Sequence, residues 1–129
     1  MKQSMSVQWV LRIAVAGEFL GHGVLAASGK QQWIEWIAAF ARVSTPFAEQ
    51  LLFLVGIMDI VVALIVLLKP MRIVLLWAAF WGFWTALVRP IMGEPLWDFV
   101  ERFANWGAPL ALLLLAGWPR NHQNWWKDR

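Results

Sequence analysis

The chain has 129 residues, 60% of them hydrophobic and 15% charged, with eleven tryptophans, no tyrosine and no cysteine. Soluble domains carry about a quarter of their residues as charges, so this composition points to a membrane protein, and the absent cysteines exclude disulfides, thiol redox chemistry and cysteine-held iron–sulfur clusters. The net charge of +3 is no nucleic-acid signal, because the basic residues cluster at the ends of apolar runs, where Lys and Arg orient a chain against a bilayer.

Residues 1–8 form a short polar lead with Lys2. The first predicted span runs from Val7 to Ala27. Its end, Ala26-Ala27-Ser28, looks faintly like a signal-peptide cleavage site. Arg12, Glu18 and His22 are out of place in a signal h-region, so a retained span is expected. Next, Gln31 to Val43 puts Trp33, Ile34, Ile37, Phe40 and Ala41 on one helical face, with Glu35 and Arg42 elsewhere. That pattern predicts a short amphipathic helix lying in the membrane interface.

The second span runs from Phe47 to Leu68. A tight basic turn, Lys69-Pro70-Met71-Arg72, leads into the third, from Arg72 to Val88. Pro95 to Asn105 repeats the amphipathic pattern: Leu96, Phe99, Val100 and Phe103 oppose Asp98, Glu101, Arg102 and Asn105. The fourth span runs from Phe103 to Trp118, and Gly107 with Pro109 is expected to bend it. Each span is near the ~20 residues needed to cross ~30 Å of hydrocarbon. The expected fold is all-α: one membrane domain over 1–129, a four-transmembrane-helix bundle with amphipathic helices in the two outer loops. Those loop helices either cap the bundle or roof a site.

Orientation follows from Lys and Arg. Lys2, the Lys69–Arg72 turn and the tail with Arg120, Lys127 and Arg129 share one side of a four-span chain. Both termini are therefore expected in the cytoplasm, with the chain in the inner (cytoplasmic) membrane. Trp9, Trp33, Trp36, Trp97, Trp106, Trp118, Trp125 and Trp126 lie near span ends, as an aromatic belt requires. Trp77, Trp81 and Trp84 lie inside span 3 at i, i+4, i+7 and share a face. They are either packing residues or a flat wall for an aromatic head group.

Polar residues at bilayer depth are costly and usually face the bundle interior. Counted from the cytoplasmic end, they form a ladder: Arg12 at ~8 Å, Asp59 at ~14 Å, Glu18 at ~17 Å, Thr85 at ~20 Å, His22 at ~23 Å and Arg89 at ~26 Å. Glu18 and His22 are i, i+4 neighbours, so they are either a proton-trading pair or a static lock. Arg12 and Asp59, at similar depths, are predicted to pair across a helix interface; otherwise Arg12 snorkels to the headgroups. Gly17, Gly21 and Gly23 predict close helix packing. Only two histidines exist, His22 and His122. They lie too far apart to share a buried haem, and Glu18 with His22 gives too few ligands for a metal.

The stretch Arg12-Ile-Ala-Val-Ala-Gly17-Glu-Phe19-Leu-Gly-His22-Gly23 resembles the opening helix of DoxX-like membrane proteins. Those have an Arg, a Gly about five residues on, a Phe and then His-Gly. Gly56 in span 2 and Arg72 opening span 3 also fit. A Lys usual after His-Gly is replaced by Ala26 and Ala27, with Lys30 later. The resemblance implies a small membrane subunit linked to quinone-dependent oxidation of sulfur compounds or to oxidant defence. Three functions are therefore expected to compete. One is an accessory subunit binding a quinone or similar lipid-soluble molecule beside a redox partner, with no cofactor of its own. Another is a scaffold without a small-molecule site. The third is a small proton-coupled carrier acting as a homo-oligomer.

Overall fold

A computed structural model describes residues 2–129, with side chains from residue 4 onward. Six α-helices follow in order: α1 (Lys2–Ala27), α2 (Gln31–Ala41), α3 (Thr45–Leu68), α4 (Arg72–Ile91), α5 (Leu96–Val100) and α6 (Ala104–Ala116). A 3-10 turn over His122–Trp126 closes the tail. No strand occurs among the described residues. Four stretches are long and apolar enough to cross a membrane: Ser4–Ala27, Thr45–Leu68, Arg72–Ile91 and Leu96–Ala116. Their outer faces carry exposed Val10, Ile13, Leu54 and Leu64. Soluble monomers rarely present such surfaces, whereas hydrocarbon accommodates them. The chain is an all-helical integral membrane protein.

Local chemistry sets the boundaries. Ser44 caps α3 by accepting the Phe47 N–H, and Pro46 sits in the first turn, where its missing donor costs nothing. Span 2 therefore starts two residues before the predicted Phe47. Span 3 runs past the predicted end at Val88, through Pro90, to Ile91. It stops at Met92, before Gly93 with φ 92°. Span 4 differs more. The predicted second loop helix is helical only over α5, and a turn at 101–103 joins it to α6. These pieces together form the fourth apolar stretch. The break thus precedes Ala104, whereas Pro109 is buried inside α6.

α1 packs chiefly on α3, and α4 on α6, with α1 also touching α6. One apolar cluster joins all four long helices through Val15, Phe19, Val62, Val66, Leu75 and Leu113. A second, built from Ala26, Ile34, Ala48 and Leu52, seats α2 on the adjoining ends of α1 and α3. The two ends of the bundle can be named by what they carry: the α2 end and the tail end.

Two close crossings set the helix spacing. A Cβ on Gly56 would stand 2.8 Å from the Gly23 carbonyl oxygen, and one on Gly23 would stand 2.9 Å from that of Gly56. Gly82 similarly abuts the Asn105 carbonyl, joining α4 to the start of α6. Within the chain, Gly23 makes a close helix crossing, while Gly17 and Gly21 do not. Those two have no atom within 4 Å of a would-be Cβ and face away from the bundle.

Two arginines bind helix ends at the tail end. Arg12 donates from Nε to the Val66 carbonyl at 3.2 Å and from Nη2 to that of Leu67. These are last-turn carbonyls of α3, which have no partner within the helix. Its guanidinium also lies 4.0 Å from the Trp9 ring centroid. Arg72 is buried and does more. It donates to the Ala116 and Gly117 carbonyls at the end of α6, and to those of Asn124, Lys127 and Arg129 in the tail.

Candidate functional site

Between the two apolar clusters lies a cavity of about 220 Å³. It draws residues from four helices. His22 comes from α1, Leu52, Val55 and Asp59 from α3, and Trp81, Trp84, Thr85, Val88 and Arg89 from α4. α2 supplies Trp33, Trp36, Ile37 and Phe40. On α3 the lining positions fall at i, i+3 and i+7, a single helical face. Asp59 is the lining residue of α3 farthest from the α2 end, so it forms the floor. Arg89, in the last turn of α4, forms the rim.

Four of the six predicted polar residues meet here: His22, Asp59, Thr85 and Arg89. Asp59 is 4% exposed, and its Oδ1 has no hydrogen-bond partner. The Trp81 indole lines the same cavity. Thr85 spends its hydroxyl proton on its own helix, reaching the Trp81 carbonyl at 2.9 Å. Such back-bonding is ordinary for Thr inside a helix. Arg89 is 7% exposed. Its Nη1 donates to the Thr85 carbonyl at 2.6 Å, so the guanidinium folds back one turn toward the floor. It also lies 5.7 Å from the Trp36 ring centroid. Among the described residues the one ion pair is Arg102 with Glu101, so neither Arg89 nor Asp59 has an opposite charge within 4 Å.

Two predicted pairings are not formed. Arg12 binds the α3 terminus instead of Asp59, because the α3 carbonyls are nearer to its depth and need donors. Glu18 and His22 share no hydrogen bond or ion pair among the described residues. The charge bearing on Glu18 is Asp59 across the α1–α3 interface. His22 faces cations, namely Arg89, Arg102 and Lys30. Its ring meets Trp33 edge-on at 5.7 Å. The cavity lining therefore includes His22 and omits Glu18 and Arg12.

The tryptophan stripe divides. Trp81 and Trp84 line the cavity, and Trp84 meets Phe40 of α2 edge-on at 5.8 Å. Trp77 is 37% exposed and stacks on Trp81 from outside at 5.5 Å. The opposite wall comes from α2, whose roofing of a site was one of two alternatives open in the sequence. Trp33, Trp36 and Phe40 fit an interfacial belt equally well, and nothing in their spacing shows that α2 folds over the bundle.

No group of three or more metal-ligating side chains occurs among the described residues. Chemically the cavity is an aromatic slot with a carboxylate at its floor and a guanidinium at its rim. Such a slot suits a flat, mostly apolar molecule with polar atoms at both ends. Comparison with family models, curated proteins and solved structures finds no match to the chain.

Proposed function

We propose that this chain is a DoxX-like accessory subunit that binds the head group of a quinone, or a lipid-soluble molecule of that size, beside a redox partner. The supporting observation is the aromatic cavity that gathers His22, Asp59, Thr85 and Arg89 within an apolar bundle. At about 220 Å³ it lies below the ~300–1,000 Å³ of drug-sized sites. A ring fits such a volume and a long isoprenoid tail does not, so the tail stays in lipid. The partner's flavin, haem or metal moves the electrons.

In this reading the bundle sits in the inner membrane with both termini cytoplasmic, as the Lys and Arg distribution favours. α2 then lies at the outer interface and closes the slot. A second reading, a homo-oligomeric scaffold, draws on Gly17 and Gly21, which leave a smooth strip on the outer face of α1.

The test is mass spectrometry of the protein extracted with its native lipids, seeking both small molecules and proteins. Stoichiometric quinone in the parent, lost in Trp84→Ala and His22→Ala variants that still fold, is the expected result. A stable protein partner with no bound small molecule would overturn the binding role in favour of the scaffold.

A further inference from the structure

The two ends of the bundle differ in charge. Of the eight acidic side chains, five lie at the α2 end, in 35–49 and 94–101, and two, Glu18 and Asp59, lie within spans. That leaves Asp128 as the one acid of the tail end. The same end carries exposed Lys69, Arg120, Lys127 and Arg129. None of these four has an ion pair among the described residues.

Buried Arg72 gathers three of them. Its backbone N–H donates to the Lys127 carbonyl at 3.1 Å. Its guanidinium donates to the carbonyls of Lys127 at 3.4 Å and Arg129 at 2.9 Å. The tail backbone is thereby held beside the turn that begins at Lys69, three residues before Arg72. These bonds use main-chain oxygens only, so the Lys127 and Arg129 side chains stay exposed and charged. Like charges brought together repel, and the cluster has Asp128 alone to offset it.

The cluster also lies at the membrane boundary. Leu68 ends α3, Arg72 opens α4 and Ala116 ends α6, so three spans leave the hydrocarbon here. Leu68, Trp118 and Trp126 are exposed at this end, and tryptophan settles at headgroup depth. A soluble anion or a nucleic acid could answer the cations, but it would leave these apolar groups in water. A lipid with a negative headgroup answers both.

We infer that the tail end is a docking surface for anionic lipids. Lys69, Lys127 and Arg129 meet the headgroup phosphates, while Leu68, Trp118 and Trp126 lie against the adjoining acyl chains. Arg72 is a positioning residue, because it assembles the cluster without facing the lipid. The inference holds whichever way the bundle is oriented and does not rest on what the cavity binds.

The test is native mass spectrometry of the full chain, released from micelles holding equal amounts of phosphatidylglycerol and phosphatidylcholine. A basic side chain near an anionic surface is worth about a fivefold preference. The parent should therefore retain the anionic lipid at least about tenfold over the zwitterionic one. Prior incubation in ~1 M salt, where screening acts within about 3 Å, should shrink that ratio. Replacing Lys69, Lys127 and Arg129 together by Gln leaves the carbonyls that Arg72 binds in place, and the ratio should fall to near parity. Arg42→Gln removes an exposed cation at the α2 end and should leave the ratio unchanged. Glycerol phosphate added at the lipid concentration should not displace the bound lipid.

Equal retention of the two lipids by the parent would overturn the inference, and that comparison needs no variant. A loss in Arg42→Gln as large as in the triple variant would place the lipid at the other end and overturn it too. Displacement by glycerol phosphate would make this a site for a soluble phosphate, against the lipid assignment.

Discussion

Gly56 of α3 meets Gly23 of α1 backbone to backbone, with no room for a Cβ on either side. Packed interiors resist added volume, and a forced methyl costs about 1–3 kcal/mol. Gly56→Ala should therefore lower the thermal midpoint in detergent clearly. Gly17→Ala has open space and gains helix propensity, so its midpoint should hold or rise slightly. Equal losses at both positions would show that α1 and α3 do not cross at this point.

Arg12 and Asp59 act on different parts of α3. Arg12→Ala strips donors from the Val66 and Leu67 carbonyls, which should cost about 1–3 kcal/mol, as for other bonds to charged groups. Asp59→Asn acts at the cavity floor. Sites without shared partners add to within about 0.5 kcal/mol. A double-mutant cycle on unfolding should accordingly give a coupling below that figure, and a larger value would mean the two side chains pair after all.

Arg72 binds the tail by several carbonyls at once, and Trp125 packs against the main apolar cluster. Removing the guanidinium orphans those acceptors together. Arg72→Gln should expose the segment after Gly117 to carboxypeptidase or trypsin, while leaving the four spans intact by circular dichroism. The check is the proteolysis rate of the tail against the parent. An unchanged rate would mean that packing of Trp125 and Trp118, 5.4 Å apart edge to face, holds the tail unaided.

The four spans were legible because apolar runs of that length have few soluble alternatives. Their exact ends were not, since Ser44 and the turn at 101–103 act through local hydrogen bonds. Depth on a helix is readable from spacing, and His22, Asp59, Thr85 and Arg89, placed at different depths, all line the cavity. Azimuth is not readable, which is why Arg12 was matched to Asp59, Glu18 to His22, and Gly17 and Gly21 to a packing face. Arg72 stood in view as part of a basic turn, yet its role depends on a tail more than forty residues away. The roofing by α2 depends likewise on Ile34 seating between α1 and α3.

The tryptophans of α4 offer the clearest separation of cavity from surface. Trp84 lines the slot against Phe40, whereas Trp77 stacks outside on Trp81. Ring-on-ring packing of this kind contributes about 0.5–1.5 kcal/mol beyond area burial. Trp84→Ala should therefore weaken binding of a benzoquinone head group by about tenfold or more. Phe40→Ala should do so to a smaller degree, since it removes the wall on the α2 side only. Trp77→Ala should leave affinity within about twofold, because its ring reaches lipid and not the cavity. Calorimetry on the three variants in lipid nanodiscs decides it. If Trp77→Ala weakens binding as much as Trp84→Ala, the ligand lies on the outer face of α4 and the slot is a packing defect.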